Sequence, residues 1–288
     1  MRYTKIKRAI LIDPSCLSRE PDRITFQSKW TGKSMLEHHV AALEYNGIQE
    51  AILLLATGLL VPPTSLALTP VYIDPLDYSM GIFEKLHKYM NVDCVCIGTH
   101  LLYHHSHLSV LLDHPGSLVM GLSSINTPLF DKSYQSWYAQ ADDTLQLAQV
   151  YKCTEENRGL EVSQQVNPIL ESGRSLENRG DVSLAQNPGK TNSNAQGISD
   201  ARKEYHLPLF FKLKRPLSEA FINHYHTTVQ YFAESRLGLN PLFQSWGWLF
   251  ASWLAQNKGL SGVELPKGFV ALYTQEQLNN ILKFKNPE

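Results

Sequence analysis

Residues 31–57 read TGKSMLEHHVAALEYNGIQEAILLLAT, and this stretch decides which fold the sequence predicts. Its first half predicts an amphipathic helix, because apolar residues recur at helical spacing and form one stripe. The stripe consists of Leu36, Val40 and Leu43. Gly47 can adopt the left-handed backbone conformation in which many helices end, so we expect the helix to stop at Asn46-Gly47.

The flanking residues of this helix predict a β-loop-α-β unit. Ser34 can cap the helix, and Glu37, three residues later, completes a capping box. The run from Ala51 to Ala56 is apolar at every position, which is typical of a strand buried on both faces. A second apolar run, Ala9–Ile12, precedes the helix. Two such strands joined through a helix predict the beginning of a parallel sheet.

The chain continues this alternation of strands and helices. We predict strands at 71–73, 93–98 and 117–122, helices at 79–89 and 101–113, and a hairpin of strands 134–139 and 144–152. Together with the first unit, these elements predict an α/β fold with a doubly wound, mostly parallel sheet.

The composition divides the chain into three parts. Residues 1–153 form the predicted α/β domain. Residues 154–204 are rich in Asn, Ser, Gln and Gly and almost free of aromatic residues, so we predict a disordered insert or linker. Residues 205–288 predict a small helical C-terminal unit, with helices at 217–236, 243–256 and 274–284.

Charge and hydropathy exclude several classes of protein. The 288 residues carry a formal net charge of −1, which argues against general binding to nucleic acid. The four cysteines form no CxxC pair, which favours a reducing compartment. The longest apolar run, residues 243–255, is shorter than the roughly 20 residues that span a bilayer. We therefore expect a cytoplasmic protein that is at most peripheral to a membrane.

A long polar loop follows the first strand, where open α/β sheets bind ligands. Asp13, Arg19, Arg23 and Lys29 lie in this loop and are candidate nucleotide-binding residues, with the basic side chains holding the triphosphate. Solvated loop charges are the simpler alternative.

Two other polar groups are candidate metal ligands. Asp74 and Asp77 follow a predicted strand and form an acidic pair, although a proline-containing turn with exposed acids is the favoured explanation. His100, His104 and His107 fall on one face of the predicted helix, but no carboxylate occurs at matching spacing. We interpret the histidines as a partly exposed helix face, because zinc sites usually include oriented second-shell partners.

The predicted helix around residues 246–253 is rich in tryptophan. Trp246 and Trp253 are seven positions apart and share a helical face. Tryptophan is favoured at membrane interfaces and at protein interfaces. This helix is therefore a candidate contact for a membrane surface or a protein partner, with packing against the α/β domain as the alternative.

Several segments resemble the nucleotidyltransferase superfamily with the GT-A-like fold. Gly32-Lys33-Ser34-Met35-Leu36-Glu37-His38 is similar to the "GKP-L-L-EH" segment of that family, and residues 46–50, NGIQE, are similar to its "aGI-x-E" turn. Tyr78 to Ile82 matches the glycine-containing turn under the nucleotide base, and Cys94 to His100 matches the strand that carries the metal-binding Asp. The resemblance implies nucleotidyl transfer with Mg²⁺, and it places Gly81 beneath the base.

A narrower resemblance is to cytidylyltransferase domains fused to CDP-alcohol phosphatidyltransferase domains. Lys214-Arg215-Pro216, the helix after it and Leu239-Asn240-Pro241 resemble the segment that leads into the membrane part of those proteins. The multi-Asp motif of the membrane domain is absent. The resemblance therefore implies transfer from a nucleoside triphosphate, with CTP as the first candidate, to a phosphorylated alcohol or sugar in phospholipid head-group metabolism, without the phosphatidyltransferase step.

The sequence departs from this family at two catalytic positions. Asp13-Pro14 stands where the family has glycines that approach the phosphates, and Thr99 stands where the family has its metal-binding Asp. Proline removes an amide donor, and a neutral hydroxyl is a poor ligand for a hard cation. The first hypothesis is thus a diverged nucleotidyltransferase-like protein with weak or no activity. The alternatives are a non-catalytic binding or scaffold protein, and a GT-A-type glycosyltransferase that uses Asp74 and Asp77.

Overall fold

The protein is organised around a large mixed sheet with helices on both faces, as a computed structural model shows. The structure describes residues 6–13, 24–55, 62–72, 88–124, 137–152, 203–234, 246–256, 259–272 and 274–285.

The secondary-structure elements are as follows, in chain order. The strands are β1 (Arg8–Ile12), β2 (Lys29–Trp30), β3 (Lys33–Ser34), β4 (Glu50–Leu55), β5 (Ala67–Tyr72), β6 (Cys94–Gly98), β7 (Leu101–Leu102), β8 (Leu118–Ser124), β9 (Trp137–Ala141), β10 (Leu147–Lys152), β11 (Lys203–His206), β12 (Phe210–Leu213), β13 (Ser261–Glu264) and β14 (Val270–Ala271). The helices are α1 (Met35–Tyr45), α2 (His105–Asp113), α3 (Arg215–Glu234), α4 (Trp246–Ala255) and α5 (Gln275–Lys285).

Within the described residues, the main sheet has ten strands and two halves of different character. Its order is β10-β9-β11-β8-β12-β6-β1-β4-β5, and β13 pairs with β8 beside this path. Strands β6, β1, β4 and β5 are parallel neighbours, as the sequence predicted. Strand β12 lies antiparallel between β6 and β8. The α/β prediction is confirmed.

The two faces of the sheet bury different sets of side chains. One face packs against α1 and α2 through Leu36, Leu43 and Leu108. The other packs against α3 and α4 through Phe221 and Phe250. Because alternate residues of each strand point to opposite faces, the apolar runs of β1, β4 and β6 serve both layers.

Helix α1 has the ends that the sequence predicted. The Ser34 side chain accepts the Glu37 amide, and the Glu37 carboxylate accepts the Ser34 amide, so the capping box is formed. Gly47 has φ of 70°, and its amide donates to the Glu44 carbonyl while the Ile48 amide donates to the Leu43 carbonyl. These two bonds are the Schellman pattern, which satisfies carbonyls at the helix end.

Two predicted boundaries are wrong because pairing with distant residues decides them. The helix predicted from Leu101 begins at His105, since Leu101–Leu102 pairs with Val270–Ala271 as a small sheet. The third strand, predicted at 71–73, spans Ala67–Tyr72 beside β4. Most of the helix predicted at 79–89 and part of the first hairpin strand, 134–136, lie outside the described residues.

The C-terminal segment contains the three predicted helices and also strands. Strand β12 enters the main sheet between β6 and β8, and β13 pairs with β8. The residues of the predicted insert, 154–204, lie outside the described part of the chain except for Lys203 and Glu204, which begin β11. The division into three units stays a prediction, but the residues after 205 build part of the same sheet as the residues before 153.

Candidate functional site

The carboxyl ends of β1 and β6 bring Asp13 and Thr99 side by side. Ile12 is in register with Gly98, and the Thr99 amide donates to the Ile12 carbonyl over 3.0 Å. The Asp13 amide donates to the Leu54 carbonyl over 3.2 Å, which ties the same edge to β4. Ligands of open α/β sheets bind at such carboxyl ends. We call this region, defined by Asp13 and Thr99, the β1–β6 edge.

Asp13 is buried at this edge, with an exposed fraction of 5%. Its Oδ2 accepts the backbone N–H of Phe26 over 3.1 Å. A buried carboxylate needs such donors, because leaving water without them costs several kcal/mol or more. Asp13 therefore fixes the backbone at Phe26 to the sheet. Its predicted contact with a nucleotide stays a prediction.

Thr99, which the sequence resemblance matches to a metal-binding Asp, is fully buried. Its carbonyl accepts a hydrogen bond from His39. Its hydroxyl oxygen is buried and has no hydrogen-bond partner among the described residues. The edge thus presents a neutral hydroxyl where Mg²⁺ would require an anionic oxygen.

His39 connects α1 to the β1–β6 edge. Its Nε2 lies 3.1 Å from the Thr99 carbonyl, which can only accept, so Nε2 carries the hydrogen. Its Nδ1 therefore accepts the Tyr103 hydroxyl over 3.1 Å. Burial lowers the pKa of His39 to about 4, although the Thr99 carbonyl acts in the opposite direction. Burial also raises the pKa of Tyr103. Both side chains are neutral at pH 7.

The sequence holds a signal for His39 that the predictions above do not use. Its position is three residues after Leu36 and four before Leu43, and therefore on the apolar stripe of α1. A histidine within such a stripe is buried, and a buried imidazole needs hydrogen-bond partners. Only the folded structure identifies those partners.

Gly98 allows His100 to fold back over the end of β6. A Cβ atom at position 98 would lie 2.4 Å from Cε1 of the His100 ring, so a larger residue would require this ring to move. His100 is itself buried, and its carbonyl accepts the Leu272 amide over 2.8 Å. The glycine retained from the family pattern therefore has a packing role at this edge.

Lys29 lies on a hairpin directly before α1. It is exposed and opposite Ser34, and the two residues at the tip, Thr31 and Gly32, have φ of 50° and 82°. Positive φ at both central residues is the geometry of a type I′ turn, which matches the twist of the paired strands. The hairpin presents Lys29 and Lys33 to solvent, so both amines are accessible to a ligand.

Five of the predicted site residues lie outside the described part of the chain. They are the loop cations Arg19 and Arg23, the acidic pair Asp74 and Asp77, and Gly81. Their predicted roles stay predictions.

The histidine face predicted at residues 100–107 does not form, because α2 begins only at His105. His107 is buried and binds the Pro266 carbonyl, and the His105 ring contacts that of Tyr45 with centroids 3.6 Å apart. No group of three or more His, Cys, Asp or Glu residues in the described ranges is placed to hold a metal ion.

Lys212 is a buried cation that the sequence predictions missed. It lies within the apolar run of β12, and its ammonium donates to the carbonyls of Leu112 and His114 at the end of α2. Burial, and then the positive charge of Lys214, lowers the pKa of Lys212 to about 8. Lys214 donates to the Pro115 carbonyl over 2.7 Å. Cations at a helix C-terminus are favoured by the helix dipole, so the two lysines hold α2 to the sheet.

The Lys214-Arg215-Pro216 segment forms the start of α3. The Arg215 amide donates to Oδ1 of Asp93 over 2.8 Å. Asp93 directly precedes β6, so a carboxylate distant in sequence caps this helix.

The tryptophan-rich helix α4 packs partly into the core. Trp253 is 2% exposed, and its ring contacts those of Phe221 and His224 at centroid distances of 5.7 and 5.3 Å. The indole of Trp253 therefore belongs to the packing layer. The side chains of Trp246 and Trp248 lie outside the described set, and a membrane or protein partner for this helix stays a prediction.

No protein-family model and no curated protein sequence matches the chain. Solved structures match it along nearly the whole length of both chains. The inositol-1-phosphate CTP transferase from T. maritima has a TM-score of 0.53 at 8% identity, over 96% of this chain and 97% of that one. The CTP:phosphocholine cytidylyltransferase LicC from Streptococcus pneumoniae has a TM-score of 0.53 at 9% identity, over 98% and 100%.

A third similar structure is a CMP:2-keto-3-deoxy-manno-octonic acid synthetase complexed with CTP. Its TM-score is 0.51 at 11% identity, over 97% of this chain and 98% of that one. The chain shares its fold with these three structures. At these identities the likeness concerns the fold alone.

None of the helices in the described ranges combines the length and the apolar character needed to cross a membrane.

Proposed function

We propose that this protein is a diverged nucleotidyltransferase-like protein that binds a nucleoside triphosphate, with CTP as the first candidate, at the β1–β6 edge. Its transfer of a nucleotidyl group to a phosphorylated alcohol or sugar is weak or absent. The observation that carries the proposal is the placement of Asp13 and Thr99 side by side at the carboxyl ends of two parallel strands. The fold shared with CTP-using proteins over nearly the whole chain supports the choice of nucleotide.

The donor set at this edge does not fit Mg²⁺. Thr99 offers a neutral, buried hydroxyl, and the Asp13 carboxylate is buried and accepts the Phe26 amide. Mg²⁺ prefers anionic and water oxygens in octahedral geometry. Nucleotidyl transfer that depends on Mg²⁺ requires carboxylates from elsewhere in the chain, for which the sequence offers Asp74 and Asp77. This poor fit supports weak or absent activity rather than full turnover.

The test of nucleotide binding is thermal unfolding with CTP, ATP, GTP and UTP, each with and without Mg²⁺. A ligand present at a hundred times its dissociation constant stabilises the folded state by about 2.7 kcal/mol. We expect a shift with CTP, and little or no Mg²⁺-dependent release of pyrophosphate. A folded sample that none of the four nucleotides stabilises refutes the proposal.

Two lysine variants test whether the nucleotide binds near the hairpin before α1. Lys29→Met removes an exposed amine on the hairpin before α1, and Lys203→Met removes an exposed amine on β11 in the other half of the sheet. Neither change should alter stability without ligand, because surface substitutions usually stay within about 0.5 kcal/mol. We expect Lys29→Met to reduce the CTP shift and Lys203→Met to preserve it. If both variants reduce the CTP-induced shift equally, the nucleotide does not bind near Lys29.

A second candidate function is a non-catalytic binding or scaffold protein that retains the fold. The burial of Asp13, Thr99 and His100 favours it, because the described part of the edge leaves no polar side chain of these three open to solvent. Nucleotide binding without pyrophosphate release supports a regulatory binding role. The absence of both supports the scaffold.

A further inference from the structure

Two histidines cap the start of α2. His104 is the N-cap residue, and its Nδ1 lies 3.4 Å from the Ser106 amide and 3.0 Å from the Ser106 hydroxyl. His107 is the third residue of the helix, and its Nδ1 accepts the His104 amide over 3.0 Å. A capping box normally uses side-chain oxygens of Ser or Thr and of Glu or Gln as acceptors. Here both acceptors are imidazole nitrogens, which accept only while they are unprotonated.

The tautomer of His107 is fixed by the C-terminal segment. Its Nε2 lies 3.0 Å from the Pro266 carbonyl, which cannot donate, so Nε2 carries the hydrogen and Nδ1 is the acceptor. The same Nδ1 is 3.1 Å from the His104 carbonyl. Once Nδ1 is protonated, it can no longer accept the His104 amide and instead donates to the His104 carbonyl. The amide then loses its acceptor, and the capping pattern is broken.

A third histidine, His105, adds to the effect. Its ring contacts those of Tyr45 and His104 in tilted arrangements, at centroid distances of 3.6 and 3.7 Å. Its Nδ1 is buried and has no hydrogen-bond partner in the part of the chain that the structure describes. Burial, and then the positive charge of a protonated His104, lowers the pKa of His105. Protons on both rings would place two positive charges against each other.

The described residues around these three histidines provide no negative charge that would stabilise their protonated forms. The Tyr45 ring of α1 faces His105, and the Pro266 carbonyl and the Phe269 ring of the C-terminal segment face His107. The charged residue beside Pro266 in the chain is Lys267, which is also positive. Among the described residues, no carboxylate forms an ion pair with these three rings.

We propose that the start of α2 is a proton-operated cap. With the histidines neutral, the cap is closed, and His107 holds α2 to Pro266. Protonation of His107 at Nδ1 removes the acceptor of the His104 amide and opens the cap at the first turn of α2, while Nε2 still donates to the Pro266 carbonyl. Along the chain, β7 lies between Thr99 and this cap, and it pairs with β14 with Leu101 in register with Ala271. Protonation of histidine clusters drives other pH switches in the same way.

The test is hydrogen exchange of the α2 amides in the intact protein at pH 7.5 and pH 5.5, corrected for the intrinsic pH dependence of exchange. Loss of an N-cap costs about 1 kcal/mol, which corresponds to about a fivefold loss of protection. We expect this loss in the first turn of α2 of the native protein at pH 5.5. The variant His104→Asn/His107→Gln should keep its protection, because Asn is a preferred N-cap residue and Gln completes a capping box without titrating.

His114→Gln is the matched control, since it removes a histidine at the other end of the same helix. We expect this control to show the same loss of protection in the first turn as the native protein. The proposal is overturned if the native protein keeps its protection at pH 5.5, or if the double variant loses as much as the native protein. If the double variant does not fold, His104→Asn alone should reduce the effect, and an unreduced loss overturns the proposal. Nucleotide binding does not enter this test.

Discussion

The parallel half and the antiparallel half of the sheet are built in different ways. Strands β1, β4 and β5 are joined by connections within the first 72 residues and run parallel. Strand β12 reaches β6 and β8 from more than 90 residues away, as the pairs Phe210 with Ile97 and Lys212 with Val119 show. The first half is thus defined by local sequence signals, and the second by contacts that only the complete chain provides.

The largest expected effect tests the packing of the antiparallel half. Gly247 of α4 lies against Trp137 of β9, and a Cβ atom at position 247 would lie 1.8 Å from Cδ2 of the indole. Gly247→Ala should lower the free energy of unfolding by about 3 kcal/mol or more, because overpacking a dense core outweighs the gain of about 1 kcal/mol in helix propensity. Urea denaturation measures this change.

Gly259→Ala is the control for this substitution. Nothing lies within 4 Å of a Cβ atom at position 259, so we expect a change within about 0.5 kcal/mol. Similar effects for both variants would contradict the close packing of Gly247 of α4 against Trp137 of β9.

The next largest expected effect is the pH dependence of stability, to which each half of the sheet contributes one buried histidine. Burial lowers the pKa of His39, in the parallel half, to about 4 and that of His206, in the antiparallel half, to about 3. An unfolded chain binds protons at these residues near pH 6.5, whereas the folded chain does not. Stability is therefore fully present above pH 6.5 and falls as the pH is lowered towards these values. Each unit of pKa difference corresponds to about 1.4 kcal/mol, so protonation of His39 in the unfolded chain alone lowers the free energy of unfolding by about 3 kcal/mol between pH 7.5 and pH 4.

The measurement is the free energy of unfolding between pH 7.5 and pH 4.5 for the native protein, His39→Gln and His206→Gln. Gln can keep a donor towards the Thr99 carbonyl and does not titrate. The slope of the unfolding free energy against pH gives the number of protons taken up on unfolding, and we expect each variant to lower this number by up to about one. The stability of each variant at pH 7.5 is measured separately. A slope that neither variant changes would contradict neutral burial of both rings.

The parallel half was predictable because its signals are local. The capping box at Ser34 and Glu37, the glycine end at Gly47 and the apolar runs of β1 and β4 each follow from neighbouring residues. The same local reading failed at Leu101, where pairing with Ala271 replaces a helix by a strand. Propensity is a weak prior, and tertiary pairing overrides it.

The candidate site was predictable only in part. The resemblance placed Thr99 at the end of a strand, and the structure places it next to Asp13. The bond from His39 to Thr99 joins residues 60 positions apart, and that from Lys212 to Leu112 joins residues 100 positions apart. No spacing rule links such residues, so these partners emerge only from the folded chain.

The smallest expected effect tests the most local of these features. Ser34→Ala removes the hydroxyl that accepts the Glu37 amide and donates to the Glu37 carboxylate. Loss of such a cap typically costs about 1 kcal/mol. Hydrogen bonds from the Ser34 amide and then from its hydroxyl lower the pKa of Glu37, so the variant should raise that pKa towards its ordinary value, as NMR titration measures. Ser34→Thr should restore both quantities, since threonine keeps the acceptor. If Thr and Ala behave alike, packing around position 34 rather than the cap begins α1, and the parallel half depends less on local signals than its sequence indicates.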